Sequence, residues 1–379
     1  MQNGANLASP GVIGYSAGMS SVSPLRVGIL GTGWMLGKFA EAFRLIDSAT
    51  LVAVASRDAE RAKTAAAQHG IQRAHPSYES LLTDPEIDIV INALHNGLHC
   101  EWTVRALETG KHVLCEKPLA RSSAEVEQMF AAAHAHHRWL MEGFMYRFHP
   151  QMAEAKRRVK AGEIGRVLHI RATRTAYGRP HDNPRYWREA GGGALMDIGC
   201  YSVNFMRFFA DAEPKSVIAQ ARFDEKTSVD FTLSGTLRFD ADLTAQFVCS
   251  MEAEPSYASE ILGTEGKLLI PHPWMPPTWP TEFYIARHGK TETVRVEAPE
   301  SFVGAPSRAR PGRAEDGSPN LTLMPFALEL QHFARFVREN RAPQFPPDID
   351  AERDSRGNMR VIEALMKSAR EERAIDLKS

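Results

Sequence analysis

The chain has 379 residues, more than one ordinary hydrophobic core organises, so two domains are expected. Hydrophobic residues make up 43% and charged residues 24%, the balance of a soluble globular protein. A formal net charge of -1 leaves no basic footprint for nucleic acid or an anionic membrane, so neither is expected as a partner.

Residues 1–24 are rich in Gly, Ser and Ala. They lack the basic start and compact apolar stretch of a signal peptide, and they lack a twin arginine. They read as a flexible arm. No apolar run of about 18 residues follows, so no membrane span is expected and the location is read as cytoplasmic. Cys100, Cys115, Cys200 and Cys249 are far apart, with no CxxC, and read as reduced buried thiols, not a disulfide framework or zinc site.

From residue 25 the chain alternates. "LRVGILG" (25–31) is a short apolar run ending in glycine, a buried parallel strand. "GTGWMLGKFA" (31–40) follows, with Gly31 and Gly33 in the first two positions of G-x-G-x-x-G. The first allows a tight turn, and the second lets backbone amides approach a pyrophosphate at a helix N-terminus. The third position is Leu36, with Gly37 one residue late. Gly31, Thr32, Gly33, Trp34 and Met35 are the candidate dinucleotide cradle. "KFAEAFRLI" (38–46) has helical spacing, and "TLVAVASR" (50–57) is a second strand.

The end of that second strand bears on the cofactor. Ser56 and Arg57 suit the 2′-phosphate of NADP, because Arg pairs with phosphate in two-pronged fashion. The rival is Asp58 holding the ribose hydroxyl of NAD. Arg57 lying flat on the adenine fits either. NADP is favoured, with NAD the alternative.

Helices are expected at 59–70, stopped by Gly70, and at 77–84, closed by Asp84-Pro85. Strands are expected at 87–94, 111–117 and 139–145, the last the sixth, with helices at 98–110 and 122–137 between them. The second of these begins with a Ser122/Glu125 capping box. Such alternation forces parallel pairing, with ligands at the carboxyl ends of the strands. Lys117 in "VLCEKPLA" (113–120) sits at such an end. A strand finishing in Glu116 and Lys117 makes sense if it finishes at a cleft.

The pattern changes after about residue 148. A helix is expected over 151–165 and a strand over 166–175. "DFTLSGTLRF" (230–239) and "DADLTAQFVCSM" (240–251) alternate as a hairpin, and 261–272 gives another, turning at Thr264–Gly266. Helices are expected at 325–340 and 358–372, with a mobile Pro/Gly/Arg-rich loop at 302–320. His134, His136 and His137 read as solvated side chains, and no metal site is expected. The fold class is α/β: a doubly wound Rossmann domain over 25–148, then an α+β domain with an open, mostly antiparallel sheet over 149–379. Its last helices are free to pack back on the first domain.

"GGGALMDIGCYSVNFMRFF" (191–209) carries Asp197 and Tyr201 four apart, one helical turn from each other. A buried Asp–Tyr hydrogen bond in a core helix would explain the spacing. Three glycines at the entrance and two proton-handling side chains favour a site.

Taken together, "EKP" (116–118), "MEGFMYRFHPQ" (141–151), "GEIGRV" (162–167) and "GGGALMDIGCYSVN" (191–204) resemble the glucose–fructose oxidoreductase / inositol dehydrogenase (Gfo/Idh/MocA) family, over nearly the whole chain from residue 24. The resemblance implies hydride transfer between a nicotinamide and a sugar or cyclic polyol. It implies Lys117 as acid/base, often with a cis peptide before Pro118, and Asp197 as the aspartate of the glycine motif. Tyr201 in place of a histidine is similar to the branch containing dimeric dihydrodiol dehydrogenase and NADP-dependent xylose dehydrogenase. Asn96 and His99 match the family's Thr-Pro-Asn-x-x-His, whose Thr-Pro pair is here Leu94-His95. Trp187 and Arg188 resemble a cofactor-contacting Trp-Arg pair. Glu116 is placed with the cofactor contacts and read as structural. The exposed face of the open sheet suits assembly, so a homodimer or homotetramer through it is expected.

Lysine removes a carbinol proton if burial or a nearby positive charge brings its pKa toward neutrality. Lys117 is assigned that role, Tyr201 donates to the hydroxyl side, and Asp197 orients substrate or Lys117. Substrate contacts are expected from 146–149, 175–188 and the loop 271–280, where Trp274 and Trp279 would stack on a sugar face. The alternatives are a closed-cycle nicotinamide-dependent glycosidase and a non-catalytic dinucleotide or sugar sensor.

Overall fold

The computed structural model describes residues 23–177, 183–240, 242–276, 280–297, 299 and 323–377. The arm before residue 23 and the loop 302–320 lie outside them. Six parallel strands form the first sheet: β1 (Leu25–Leu30), β2 (Ala49–Ala55), β3 (Arg73–His75), β4 (Ile89–Asn92), β5 (His112–Glu116) and β6 (Leu140–Gly143). Their order is β3-β2-β1-β4-β5-β6. The reversal between β1 and β4 leaves a crevice at their carboxyl ends, where doubly wound sheets bind ligands. The strands bury both faces: Ile29, Ala53, Val90, Ile91 and Val113 are fully buried.

Crossover helices α1 (Trp34–Ala42), α2 (Ala59–His69), α3 (Tyr78–Leu82), α4 (His99–Glu108) and α5 (Ser123–Ala135) cover the sheet. Gly70 ends α2 in the left-handed conformation that glycine adopts without strain. At α5 the capping box is half formed. Ser122 accepts the Glu125 N–H at 3.2 Å, but the Glu125 carboxylate instead takes the Arg121 N–H at 2.8 Å. Arg121 also pairs with that carboxylate through its side chain, which draws it away from Ser122.

Helix α6 (Pro150–Lys160) leads to a nine-stranded second sheet. Its strands include β7 (Val167–Thr175), β8 (Ser216–Phe223), β9 (Asp230–Arg238), β10 (Thr244–Ser250), β11 (Ser259–Gly263), β12 (Lys267–Ile270), β13 (Thr281–Arg287) and β14 (Lys290–Val296). The order is β14-β13-β12-β11-β7-β10-β9-β8, with Ile375–Asp376 beyond β8. Only the β7–β10 pair is parallel among the described pairings. Helix α7 (Cys200–Ala210) packs on one face. The other stays open, with Ile218 48% exposed beside Arg171, Thr236 and Gln246.

The last two helices reach back to the first sheet's layer. In α8 (Met324–Arg338) the Phe326 ring meets Phe39 of α1 edge-on at 5.7 Å. In α9 (Ala351–Glu371) Glu352 lies 2.9 Å from His134 of α5, and Arg356 pairs with Glu127. His134 is thus an exposed side chain that also meets Glu352.

Candidate active site

The glycine loop fits a dinucleotide. Helix α1 starts at Trp34, four residues before its apolar periodicity begins, so its N-terminus faces the loop. Its N-cap, Gly33, supplies no side-chain cap, and the first turn holds no acidic residue. No side chain competes for this end of the helix, and its dipole remains available to an anion. Gly31 has φ +102°, and a Cβ there would come 3.3 Å from the Ala93 carbonyl oxygen. Space beside Gly33 is open within 4 Å. Leu36, in the motif's third position, is buried in the core.

Beyond the loop, a cleft of about 390 Å³ is lined by Gly33, Trp34, Asn96, Glu116, Lys117, Arg174, Arg185, Asp197 and Tyr201, among others. Lys117 follows the end of β5, and its peptide with Pro118 is cis. Its Nζ donates to the Asp197 carbonyl at 2.6 Å and lies 3.4 Å from Asp197 Oδ1. It also sits 5.0 Å from the Tyr201 ring centroid. Asp197 lies on a π-helical turn, Leu195–Gly199, that runs into α7. The wider turn replaces the single α-helical step expected between Asp197 and Tyr201, a device common at functional sites. The Tyr201 hydroxyl points to Met145 Sδ at 3.7 Å, so the Asp–Tyr bond that spacing alone allowed is not what holds these residues.

The three glycines each admit a different neighbour. A Cβ on Gly191 would come 3.2 Å from Asn96 Cβ, on Gly192 2.3 Å from the Arg185 carbonyl, and on Gly193 2.0 Å from Asp230 Oδ1. Asp230 Oδ2 accepts the Leu195 N–H at 2.7 Å, which caps the π turn. Asp230 belongs to β9, far away in sequence, and only the fold brings it to Asp197.

Several sequence expectations are corrected here. His99 is fully buried, with Nδ1 2.9 Å from the Pro118 carbonyl and Nε2 3.0 Å from the Leu94 carbonyl. It links two loops under the cleft and has no surface for a cofactor. Trp187 is 39% exposed and outside the cleft, and Arg188 faces a separate groove against α9. The residue of "PRYWRE" that enters the cleft is Arg185, whose Nε donates to Asp197 Oδ1 at 2.9 Å. Residues 146–149 form core beneath the site, with Tyr146 and Arg147 fully buried. Trp274 is also fully buried, its ring 6.3 Å from that of Tyr201, so it backs the tyrosine and offers no face to a sugar. Trp279 lies outside the described residues.

Asn96 lines the cleft and donates from Nδ2 to the Gly191 carbonyl at 2.8 Å. Ser56 closes β2, its Oγ accepting the Asp58 N–H at 3.2 Å. Arg57 is exposed beside them. Asp58 is engaged: its Oδ1 accepts the N–H groups of Glu60 and Arg61 at 2.9 and 3.1 Å and caps α2.

Burial dominates the electrostatics. It pushes the Glu116 carboxyl up to about 7, against the opposing charges of Lys117 and Arg185. It holds the Tyr201 phenol well above its usual range, so the hydroxyl stays protonated. His99 is pushed down to about 4 by the same cause and stays neutral. Among the described residues no group of three or more His, Cys, Asp or Glu could hold a metal ion, and no helix is long and apolar enough to cross a membrane.

Comparison with known proteins agrees with this geometry. Residues 25–144 match the model of an oxidoreductase family with an NAD-binding Rossmann fold. Residues 152–269 match a GFO/IDH/MocA C-terminal domain. The chain is 32% identical over 328 residues to D-xylose 1-dehydrogenase (NADP(+)) 2 of Haloferax volcanii, covering 86% of this chain and 91% of the relative. It is 39% identical over 257 residues to trans-1,2-dihydrobenzene-1,2-diol dehydrogenase of Xenopus laevis, covering 66% and 76%. A 3-ketoreductase from Actinomadura kijaniata, solved with NADP and TDP-benzene, superposes with a TM-score of 0.79 at 28% identity, covering 91% of this chain and 98% of that one. An aldose-aldose oxidoreductase from Caulobacter crescentus, complexed with glycerol, gives a TM-score of 0.77 at 29% identity, covering 93% and 100%. With an uncapped glycine loop before α1 and these matches in both halves, the chain belongs to the GFO/IDH/MocA family of nicotinamide-dinucleotide-binding oxidoreductases.

Proposed function

We propose that the protein is an NADP-dependent dehydrogenase or reductase acting on a CH–OH group of a sugar or cyclic diol. The observation that carries this reading is the Lys117 amine, held by Asp197 at 2.6 and 3.4 Å in a cleft that opens onto the glycine loop. The substrate class follows the relatives' activities on D-xylose and on a dihydrodiol.

Bound on the Gly31–Met35 loop, the dinucleotide would accept or return the hydride equivalent. Lys117 takes the carbinol proton in the oxidative direction and returns it in the reductive one. Two of the amine's three positions face Asp197, which leaves the third for the substrate oxygen: a lone pair when Lys117 takes the proton, an N–H when it returns it. Tyr201, kept protonated by burial, donates to the same oxygen; its contact with Met145 sulfur is weak enough to exchange. Asp197 orients the amine and is itself oriented by Arg185 and the glycine turn.

Preference for NADP is supported by Asp58, whose Oδ1 is engaged in capping α2 and whose Oδ2 lies 3.8 Å from Arg61. Ser56 and Arg57 remain for the 2′-phosphate. The division into a cofactor domain (25–148) and a substrate and oligomerisation domain (149–379) belongs to the same reading. So does assembly of two or four copies through the open sheet face. The test is absorbance at 340 nm with NADP and NAD separately, against aldoses, cyclitols and trans-diols. NADPH formation with one class is expected. No turnover across the panel would defeat the reading.

A further inference from the structure

We propose that the substrate carries an anionic oxyacid group, a carboxylate or a phosphate, and that Arg174 binds it. The reaction rests on the dehydrogenase reading above; the binding does not.

Arg174 lies near the carboxyl end of β7 and lines both the catalytic cleft and an adjoining compartment of about 220 Å³. That compartment is walled by Tyr177, Arg185, Met251, Tyr257 and Met275, without Lys117 or Tyr201. It is where a substrate extends past its reacting carbon. The Arg174 guanidinium stacks 4.2 Å from the Tyr201 ring centroid, 5.1 Å from Trp274 and 5.8 Å from Tyr257. Among the described residues it has no carboxylate partner and no hydrogen bond, and its Nε is buried without one.

Arginines elsewhere in the fold reach carboxylates, although fully buried Arg147 also has Nε and one terminal nitrogen without a partner. Arg207 is paired with Asp354 and Glu213, Arg147 reaches Asp354, and Arg185 holds Asp197. A buried N–H donor without a partner requires an explanation. Stacking occupies the flat faces of a guanidinium and leaves its N–H edge, which matches an oxyacid's two oxygens. The surrounding charge agrees: Lys117, Arg174 and Arg185 stand against Glu116 and Asp197, and burial of Glu116 weakens its share. A neutral aldose would leave this edge unsatisfied.

The test pairs binding with turnover. The NADP-loaded protein is titrated by calorimetry with D-glucose, D-xylose, D-glucuronate, D-galacturonate, D-glucose 6-phosphate and D-xylose 5-phosphate. Initial rates at 340 nm are taken with the same six. At least one anionic sugar should bind roughly 10- to 100-fold tighter than its neutral counterpart, the range of one charge-assisted contact. Whether a uronate or a phosphate does so identifies the oxyacid. Arg174→Gln should raise KM for that anion by a similar factor with a much smaller change in kcat, and Arg174→Lys should recover part of it. Anions binding no tighter than neutral sugars would overturn the proposal, as would Arg174→Gln weakening neutral and anionic sugars alike. If an anion binds through Arg174 yet no NADPH forms, the proposal stands and the dehydrogenase reading fails.

Discussion

Lys117 and Glu116 are neighbours with opposite tasks. If Lys117 moves the proton, Lys117→Ala should lower kcat by roughly 10²- to 10⁴-fold, the usual worth of a positioned acid/base. Dinucleotide affinity, read by fluorescence titration, should hold. A kcat near wild type would remove the role. Glu116, at about 7, changes charge within the working range, so the pH profile of kcat/KM should inflect near neutrality. Glu116→Gln should erase that inflection, and its persistence would assign it elsewhere. Lys117, Asp197 and Tyr201 were legible because a charged residue at a strand end and a glycine-led Asp–Tyr pair are visible locally. Arg185 fell within the expected 175–188 stretch without being singled out, and Arg174 lay just before it. Each sits in a stretch rich in arginine, "RATRTAYGR" and "PRYWRE", and nothing local says which one turns inward.

At the scale of elements, the NADP reading gives cofactor choice and helix capping to different residues. Asp58→Ala should cost about 1 kcal/mol of stability through the lost cap of α2 and leave the NADP/NAD ratio of kcat/KM in place. Arg57→Ala should shift that ratio toward NAD instead. A collapse of NAD turnover in the Asp58 variant would revive the rival assignment. The π turn is equally exposed to test. Gly193→Ala places a Cβ 2.0 Å from Asp230 Oδ1 at φ +116°, so about 3 kcal/mol of destabilisation and loss of turnover are expected by thermal melting and rate assay. Strands with strong alternation, such as β9 and β10, were legible in the sequence. The short polar β3, the strands β8, β13 and β14, and the first turns of α9 were not. Their apolar pattern is brief or broken by charge, and pairing with neighbours holds them in place.

Across the whole molecule, buried carboxyls tie stability to pH. Burial pushes Glu142 up to about 8 and Asp230 to about 7, with Glu116 also near 7 and Glu329 well above its usual range. Each holds its proton in the fold to a higher pH than it would when unfolded. Their contribution is therefore complete below the ordinary carboxylate range and is lost as pH rises through about 7 to 8. His99, His112, His149 and His332, held neutral by burial, oppose this fall below about pH 6.5, so the melting temperature should fall between about pH 6.5 and 8.5. Glu142→Gln, which preserves an acceptor for the Leu119 N–H now bonded at 2.8 Å, should flatten that fall. A melting temperature that rises over this range would contradict the argument. None of this was legible in sequence, where a glutamate in a strand looks the same whether covered or not.

The halves of the molecule are also sewn together at the floor of the cleft. The Ala190 carbonyl accepts the Gly97 N–H at 2.9 Å, the Gly191 carbonyl accepts from Asn96 at 2.8 Å, and the Glu189 carbonyl accepts from Arg121 at 3.2 Å. Rocking the halves apart would break all three, and exposed Trp34 and Tyr177 line the compartment beside the cleft. A molecule seated beside Arg174 then stands in the doorway of whatever lies deeper. Kinetics should be compulsory-order, with the dinucleotide first in and last out, and product-inhibition patterns would show it.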